Sequence, residues 1–597
     1  MTRLTKSRAV LSGALIAAVL AGCTAEAATT SSADGTTSTV SAEAVAASAG
    51  ITVDEAVAAN LVTHDDDADY SYEEADVVDV TLTGDSAESD FDAVTVSDGT
   101  VTITAAGTYR LSGTLDGQVV VDTEDDGVVR IILDDAEITS TTTSALAFMD
   151  AGIAMVLLAD GSSNTLADGS DYTVDGEEPN AALYSSADLT ITGTGTLAVT
   201  GNANDGIASQ DGLVLDSGTI TVEAVDDGIR GKDYLLVEDA EVTVTAGGDG
   251  LKSDNSEDAT AGYVYVAGGS VAVTAAGDGL TAATDVIVGA GTVQVEAGGG
   301  SGETVAEDAS AKGLKGTVSV VVGGGTVDVD SVDDAVHSDG VISIQDGALS
   351  LATGDDGVHA DGDLTIAGGT VTVSESYEAL ESAVITIVGG ELQLTADDDG
   401  INVGGGNDGS GQQGPGGGGD SFTTANSYQL TISGGTIVID AGGDGLDSNG
   451  GGTMSGGTVT VSGPTDSSNG AIDVQNGLTV DGGDLLVTGS SGMAEAPMSS
   501  SAQSWVAATF DTQDAGSTVE VVSADGDVLG SWTADKEFAL VTFSSAAVES
   551  GAEYTVVVDG TEVATVTAGE FTGGGMGGGM SGGMGGGMGG GGPRPGR

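Results

Sequence analysis

Short runs of alternating apolar and polar residues recur along the middle of the chain. One set contains Leu213 and Leu215, and a second set, often preceded by Gly-Gly or Gly-Ala, contains Val242 and Val244. A third set begins directly after Asp-Gly, where an apolar residue such as Leu251 is followed two positions later by a small side chain. Alternation with a period of two indicates strands, and Gly or Asp-Gly supplies the turns. Each repeat therefore predicts three short strands.

The spacing of the Asp-Gly turns indicates how these strands are assembled. The turns lie 22 residues apart in two series, which are Asp205, Asp227 and Asp249, and then Asp334, Asp356 and Glu378. One such repeat cannot bury its apolar face alone, so stacked repeats must share a core. The pattern predicts an all-β chain, a right-handed parallel β-helix with coils of about 22 residues. A nonapeptide calcium β-roll is the nearest rival, and the longer period disfavours it.

The same patterns predict the boundaries of the domains. Residues 75–490 are expected to form the β-helix, with a Gly-rich insertion at 404–420. The period stops before residues 504–571, where both tryptophans and several apolar runs predict a small antiparallel β module. Residues 572–597 consist mainly of Gly and Met, which predicts a disordered tail. Residues 23–74, rich in Ala, Thr, Ser and Asp, predict an acidic linker.

The N-terminus resembles a bacterial lipoprotein signal peptide. Residues 1–22 combine basic residues with a short apolar run, and Leu20-Ala21-Gly22-Cys23 matches a lipobox. The resemblance implies cleavage before Cys23 and attachment of diacylglycerol to its sulfur. The protein is then expected to be exported and held at the outer face of the cell membrane by lipid alone. A buried, inert cysteine is the alternative. A weak helix is predicted at Ser41–Asn60.

Composition and charge narrow the classes of protein that remain. The 597 residues include 100 Gly, and 93 acidic against 13 basic residues give a formal net charge of −80. Such a surface would repel nucleic acid. Hydrophobic residues make up 39%, which disfavours a wholly disordered chain. The single Cys excludes a disulfide framework and a Cys-based zinc site.

Because the coils stack, residues one period apart become neighbours. The acidic residues before Gly therefore form a column. Neighbouring carboxylates about 4.8 Å apart repel one another by roughly 1 kcal/mol in water, and such a row needs protons or cations. Oxygen ligands on flexible turns favour Ca²⁺. The alternative is that Asp suits a turn before Gly and its charge is solvated.

The position two residues after Gly forms a second column on the expected outer face. Five of its ten residues are basic or His; the column reads Ala208, Arg230, Lys252, Thr281, Lys315, His337, His359, Glu381, Asn402 and Asp447. A cationic strip beside calcium would suit uronic acids. Balancing the charge of the neighbouring Asp column is the alternative. The predicted carbohydrate-binding residues are Arg230, Lys252, Lys315, His337, His359 and Glu381.

Several segments resemble a bacterial carbohydrate-binding β-helix family that looks like pectate lyases. The resemblance rests on Gly99–Tyr109 with Leu111–Leu115, on Leu157–Asn164, on the repeated Asp-Gly coils and on the 504–571 module. It implies a right-handed β-helix, bound calcium, and binding of cellulose or acidic plant polysaccharide at the cell surface. The scarcity of aromatic residues favours acidic chains. The calcium ligands that it implies are Asp226, Asp227, Asp333, Asp334, Asp355, Asp356, Asp398 and Asp399.

Several functions are compatible with these patterns. The first is a non-catalytic lipoprotein that binds an acidic, uronate-containing polysaccharide, acting as a monomer. A calcium-dependent polysaccharide lyase is the second, with Arg230, Lys252 or Lys315 as the base. Hydrolysis by a carboxylate pair is a third, although a pair carries little information in so acidic a chain. A structural spacer or adhesin at the cell surface is the remaining alternative.

Overall fold

Parallel strands stacked in three ladders form most of the computed structural model, which describes residues 50–66, 68–170, 179–304, 309–404 and 428–571. The predicted signal segment 1–22, Cys23, nearly all of the 404–420 insertion and the 572–597 tail lie outside the described residues. None of the described helices is long and apolar enough to cross a membrane.

The first ladder holds the strands that follow the Asp-Gly turns. Each pairs in parallel with its counterpart one coil further on, for example Ile229 with Leu251. Its strands are β4 (Thr100–Ile103), β6 (Gln118–Asp122), β8 (Leu146–Asp150), β11 (Ala181–Ser185), β14 (Asp205–Ser209), β17 (Ile229–Gly231), β20 (Leu251–Ser253), β23 (Leu280–Ala282), β26 (Leu314–Gly316), β29 (Val336–Ser338), the starts of β32 (Val358–Ile366) and β34 (Leu380–Ile387), β36 (Ile401–Val403), β39 (Leu446–Ser448) and β42 (Ile472–Val474).

The second ladder follows the first along each coil and is parallel as well. Its strands are β1 (Val77–Gly84), β5 (Gly107–Asp116), β7 (Val128–Thr139), β9 (Ile153–Leu158), β12 (Leu189–Gly193), β15 (Gly212–Leu215), β18 (Tyr234–Val237), β21 (Tyr263–Val266), β24 (Asp285–Val288), β27 (Ser319–Val322), β30 (Val341–Ile344), the ends of β32 and β34, β37 (Gln429–Ile432), β40 (Gly451–Met454) and β43 (Leu478–Val480).

The third ladder completes each coil. Its strands are the end of β7, then β10 (Ser163–Ala167), β13 (Thr196–Gly201), β16 (Thr219–Ala224), β19 (Glu241–Ala246), β22 (Ser270–Ala275), β25 (Thr292–Ala297), β28 (Thr326–Ser331), β31 (Ala348–Thr353), β33 (Thr370–Glu375), β35 (Glu391–Ala396), β38 (Thr436–Ala441), β41 (Thr458–Ser462) and β44 (Asp484–Gly489). Two short strands, β2 (Ala87–Glu88) and β3 (Val94–Ser97), pair antiparallel with β1 and β4. The predicted parallel β-helix is thus confirmed.

The inner faces of the three ladders share one continuous core. The predicted inward residues Ile229, Leu251 and Val336 are each 0% exposed. The small residues Ser253 and Ser338, two positions after Leu251 and Val336, are buried as well. Burying each Val, Ile or Leu contributes about 1.5–3 kcal/mol. Aliphatic ladders therefore stabilise the coil without many aromatic residues.

Close stacking explains much of the glycine content. Gly291, between the second and third ladders, has φ +82°, and a Cβ there would lie 2.6 Å from the carbonyl oxygen of Gly269 in the preceding coil. Gly228, after Asp227, faces Val244 so closely that a Cβ would lie 2.2 Å from its Cγ1. Both positions therefore exclude any larger residue, the first because of its positive φ as well.

The part of the predicted linker from residue 50 onward packs on the coils. Its helix α1 (Val53–Ala59) starts at a capping box in which Thr52 and Glu55 satisfy each other's backbone N–H groups. Ala56 packs against Ile287 and Val321 of the second ladder. A short 3₁₀ helix (Glu74–Asp76) leads into β1. The helix lies inside the predicted Ser41–Asn60 segment and is shorter than that prediction.

The C-terminal strands change to antiparallel pairing, as predicted. Strands β45 (Trp505–Gln513) and β48 (Phe538–Ser544) extend the large sheet beyond β44. The remaining strands β46 (Thr518–Ser523), β47 (Val528–Thr533), β49 (Glu553–Val558) and β50 (Thr561–Thr567) form a separate four-stranded sheet. Their cores contain Phe538 and Phe543, so the aromatic residues of this region build a local core.

Candidate carbohydrate and metal sites

The acidic residues before Gly accept a regular series of backbone hydrogen bonds. We call this row the turn column; it consists of Asp205, Asp227, Asp249, Asp278, Asp334, Asp356, Glu378, Asp399 and Asp444, and of Lys312, which takes the same position in its coil. One carboxylate oxygen of Asp227 accepts from the backbone N–H of Asp249 at 2.9 Å, and Asp249 does the same for Asp278. The same bond recurs from Asp356 to Asp334 at 3.1 Å. A turn carboxylate therefore satisfies a buried donor in the next coil.

The second oxygen of several turn carboxylates contacts a basic residue of the neighbouring row. We call that row the outer column: Ala208, Arg230, Lys252, Thr281, Lys315, His337, His359, Glu381, Asn402, Asp447 and Asp473. Lys252 Nζ lies 2.9 Å from Oδ2 of both Asp227 and Asp249. Lys315 Nζ lies 3.0 Å from Asp278 Oδ2. Both lysines therefore balance charge within the protein while staying half-buried.

These contacts favour the protonated form of Lys252. Burial disfavours the charged amine, but hydrogen bonds and charges from Asp249 and Asp227 outweigh burial and raise the pKa of Lys252 above its ordinary value. The side chain is therefore a cation at neutral pH. Arg230, one coil before Lys252 in the row, forms its ion pair with Asp254 at 2.9 Å.

Lys312 is a basic residue within the turn column and pairs with two carboxylates. Its Nζ lies 2.7 Å from Asp333 Oδ1 and 2.6 Å from Asp334 Oδ2, and the Asp334 side chain is 0% exposed. Sequence analysis did not select Lys312. A signal was present, because Lys312-Gly313 occupies the position where other coils have Asp-Gly. The backbone N–H of Lys312 also donates to Asp278 Oδ1 at 2.9 Å, which is the hydrogen bond that recurs along the turn column.

The two histidines of the outer column lie inside the carboxylate network. His337 Nδ1 is 2.8 Å from Asp334 Oδ2, and His337 is 7% exposed. His359 is 0% exposed, and its Nδ1 lies 3.2 Å from Asp356 Oδ2 and 3.3 Å from Glu381 Oε2. The phase of the strands placed both side chains on the outer face. Neighbouring carboxylates close over them, so neither histidine is presented to solvent as a direct sugar contact.

The predicted metal ligands fall into different surroundings. Asp226 is exposed, whereas Asp227 is engaged by Lys252. Carboxylate oxygens of Asp333, Asp334 and Asp355 lie within 4.8 Å of one another, although Lys312 contacts the first two. The remaining predicted ligands are Asp356, which lies beside His359, and the partly buried pair Asp398 and Asp399.

Beyond His359 the two columns continue with carboxylates. Burial, then the charges of Asp356 and Glu381, raises the pKa of Glu378 to about 10. Burial raises the pKa of Asp399 to about 7 and that of Asp444 to about 6, with the neighbouring Asp carboxylates adding to the effect. Among the residues that the structure describes, no Lys or Arg side chain forms an ion pair with these three carboxylates. This stretch is short of positive charge.

One group of three carboxylates in this stretch has the spacing of a cation site. Oxygens of Asp444, Asp447 and Asp473 all lie within 4.8 Å of one another, and all three residues are partly buried. Sequence analysis placed Asp444 and Asp447 in the two columns without selecting them as ligands. Asp473 was missed because its coil has Gly470-Ala471 in place of Asp-Gly.

A stacked tyrosine pair lies on the outer side of the second ladder. The rings of Tyr234 and Tyr263 are 5.5 Å apart with an interplanar angle of 20°, and the residues are 2% and 3% exposed. The docked N-terminal segment covers them: the Tyr263 hydroxyl donates to Leu61 O at 2.8 Å, and His64 N donates to the Tyr234 hydroxyl at 2.7 Å. The pair is a potential stacking platform closed by the chain itself.

Comparisons with known proteins place the central coils in context. A family model described as carbohydrate-binding domain-containing protein matches residues 97–357. A carbohydrate-binding domain-containing protein of Acetivibrio thermocellus is 38% identical over 137 residues, which are 22% of this chain and 48% of that protein. The chain thus spans about half the length of this relative.

One similar solved structure is described as the polysaccharide lyase-like protein from C. thermocellum, gadolinium derivative. It is 30% identical, and the match covers 46% of this chain and 99% of that chain with a TM-score of 0.36. The predicted relationship to a carbohydrate-binding family is confirmed at this level, while the calcium, lipoprotein and pectate-lyase-like elements stay predictions. Through residues 97–357, this chain is similar to carbohydrate-binding domain-containing proteins.

Proposed function

We propose that the protein is a non-catalytic carbohydrate-binding lipoprotein that recognises an acidic, uronate-containing polysaccharide along the outer column. The observation that carries the proposal is the change of charge along this row. Partly exposed Arg230, Lys252 and Lys315 lie on successive or nearby coils, and Asp447 and Asp473 follow further along. Cations at one end suit sugar carboxylates directly, and carboxylates at the other end suit them through a bound cation.

Calcium fits the carboxylate end better than the cationic end. Asp444, Asp447 and Asp473 offer oxygen atoms within 4.8 Å of one another, and burial, together with the charges of neighbouring carboxylates, raises the pKa of Asp399 to about 7 and that of Asp444 to about 6. Oxygen ligands on turns are the set that Ca²⁺ prefers. These residues, with Asp398 and Asp399, would hold the ion. When bound, calcium supplies a positive charge that a sugar carboxylate can share.

The experiment that tests this proposal is retention of the full chain, kept in detergent, on immobilised polysaccharides. Polygalacturonate, cellulose and a neutral glucan are compared with calcium and with a calcium-selective chelator. We expect retention on polygalacturonate with calcium and weaker retention with chelator. Equal retention on the neutral glucan, or no retention on any glycan, contradicts the proposal and favours a structural spacer.

Two variants separate the ends of the outer column. Asp447→Asn with Asp473→Asn is expected to remove the calcium dependence and to weaken binding about tenfold or more. Lys252→Ala with Lys315→Ala is expected to weaken uronate binding in calcium and chelator alike. The matched control is Asp525→Asn, an exposed carboxylate in the C-terminal sheet region, which should change neither. Unchanged affinity in both double variants would remove the outer column as the binding surface.

A calcium-dependent lyase is the second candidate function. β-Elimination needs a base near the sugar, and the lysines of the outer column are the residues that could supply it. A lysine can act as that base only when it is neutral. The carboxylates that hold Lys252 raise its pKa, which works against this role for Lys252. Ultraviolet absorbance from an unsaturated product, released from polygalacturonate by the full chain, would decide for the lyase.

Export and lipidation form a separate part of the proposal. The support is the basic and apolar start of the chain followed by Leu20-Ala21-Gly22-Cys23. Incorporation of a radiolabelled fatty acid by bacteria expressing the full gene, and its loss in Cys23→Ser, is the expected result. Labelling of the Cys23→Ser variant at the wild-type level would contradict it.

A further inference from the structure

The imidazole of His359 is fully enclosed within the two columns. The residue is 0% exposed, and neither Nδ1 nor Nε2 has a hydrogen-bond partner of acceptable geometry. Both nitrogens nevertheless face carboxylates. Nδ1 lies 3.2 Å from Asp356 Oδ2, 3.3 Å from Glu381 Oε2 and 3.7 Å from Asp334 Oδ2. A buried polar atom normally has a hydrogen-bond partner. These nitrogens therefore need either a proton shared with a carboxylate or a bound ion.

The distances match the coordination geometry of a small divalent ion. Zinc binds nitrogen and carboxylate oxygen at about 2.0–2.2 Å, so two ligands of a tetrahedral site are about 3.3–3.6 Å apart. The separations from His359 Nδ1 to Asp356 and Glu381 are 3.2 and 3.3 Å, and the one to Asp334 is 3.7 Å. Ligand atoms of His359, Asp356 and Glu381 lie within 4.8 Å of one another and can therefore serve as three corners of such a site, while Asp334 Oδ2 lies beside the same nitrogen.

Residues around these atoms provide the second layer that a metal site needs. His337 contacts Asp334 Oδ2 at 2.8 Å and meets the His359 ring edge-on with centroids 5.1 Å apart. Asp361 Oδ1 is the carboxylate atom next to His359 Nε2, at 3.5 Å. A carboxylate behind the second ring nitrogen orients the imidazole in many metal sites.

The charges of the cluster leave room for a divalent cation. Three carboxylates, from Asp334, Asp356 and Glu381, surround His359, and Lys312 is the basic residue that pairs with one of them. A bound metal ion would supply positive charge to these carboxylates.

We propose that His359, Asp356 and Glu381 form a site for a transition metal ion of the zinc class, with Asp334 and His337 as positioning residues. The imidazole nitrogen distinguishes it from the oxygen-only group at Asp444, Asp447 and Asp473. Imidazole favours zinc, cobalt or nickel, whereas all-oxygen sets favour calcium. The two ends of the carboxylate stretch would then select different ions.

The test uses the full chain with zinc chloride, in excess calcium so that oxygen-only sites are saturated. We expect one equivalent of zinc to bind by calorimetry, and cobalt in place of zinc to give a visible absorption band. The chain has three histidines, so ¹⁵N-histidine resonances distinguish them. Zinc should shift the resonances of His359 and His337 and leave His64 unchanged. Absence of zinc binding in calcium, or a shift of His64 alone, would overturn the proposal.

Three matched variants grade the roles of the histidines. His359→Gln should weaken zinc binding about 100-fold or more, and His337→Gln about 10-fold, the range for a group that orients a ligand. His64→Gln, far along the chain, should bind zinc as the wild type does. Equal affinity in His359→Gln and wild type contradicts the assignment. If His359→Gln fails to fold, the resonance shifts of the wild-type chain decide.

Discussion

The turn and outer columns differ sharply between their two stretches. From Asp227 to Asp334 the turn carboxylates are paired with lysines or histidines, as Lys252 pairs with Asp227 and Asp249. From Glu378 to Asp473 the same backbone geometry continues, with the backbone N–H of Asp444 donating to Asp399 at 2.5 Å, but the basic side chains stop. One scaffold therefore carries two electrostatic designs. The paired stretch is neutralised by the chain, and the unpaired stretch depends on protons or ions.

The largest expected effect is at the most buried ion pair formed by a lysine. Lys312→Met leaves Asp334, 0% exposed, without its ammonium partner, and breaking such a pair costs about 3–5 kcal/mol. The free energy of unfolding, measured by urea titration, should fall by that amount. The control is Lys536→Met, whose partner Asp440 is half exposed, and the loss there should be about 1 kcal/mol or less. Equal losses in both variants would refute the special role of Lys312.

The two stretches should respond to pH in opposite directions. In the unpaired stretch the pKa values of Glu378, Asp399 and Asp444 lie above their unfolded values, so the folded chain binds more protons. That stability is present at acidic pH and is lost as pH rises through about 6 to 10. In the paired stretch the pKa of Asp334 is held below its ordinary value by His337 and Lys312, against the effect of burial. Its contribution is present above about pH 4 and is lost as pH falls.

Thermal unfolding of the chelator-treated chain from pH 5 to 8 checks the first part. Glu378→Gln should flatten the decline toward alkaline pH, because the neutral amide no longer loses a proton. Added calcium should also reduce the decline. A decline that is as steep in Glu378→Gln as in the wild type would show that this carboxylate does not cause it.

A smaller effect is expected when a cation is introduced into the unpaired stretch. Asn402 occupies the outer column between Glu381 and Asp447, in register with Lys252 several coils away. Asn402→Lys should stabilise the metal-free chain by about 1 kcal/mol near pH 8 and reduce its response to calcium. Asn402→Met, of similar length without charge, is the control. Stabilisation of equal size in both variants would indicate packing and not charge.

The smallest effect is expected at the partly exposed start of the paired stretch. Asp254→Asn removes the partner of Arg230, whose side chain is 16% exposed while that of Asp254 is 35% exposed. Exposed pairs contribute up to about 1 kcal/mol, so the urea midpoint should change little. Affinity for polygalacturonate should rise, since Arg230 is released. A loss of several kcal/mol would show that pairing matters equally along the whole column.

The site residues were predictable to different degrees. The period identified the turn column and the outer column together, and it placed Lys252 and Lys315 correctly in the same row. It did not reveal Lys312 as a partner of Asp334, because that residue stands in the turn column where acidic residues were sought. The burial of His359 was also hidden, since strand alternation assigns a face but not the neighbours that cover it.

The sequence by itself determined the coil, because a 22-residue period, alternating apolar residues and glycine turns are local properties that stacking repeats. It also determined which residues share a column. Only the tertiary structure decided which charges meet. An insertion between coils leaves the register intact but changes the sequence distance between partners, as with the 29 residues from Asp249 to Asp278. Ion pairing depends on side-chain positions a few ångströms apart in space, and those positions exist only once the coils are stacked.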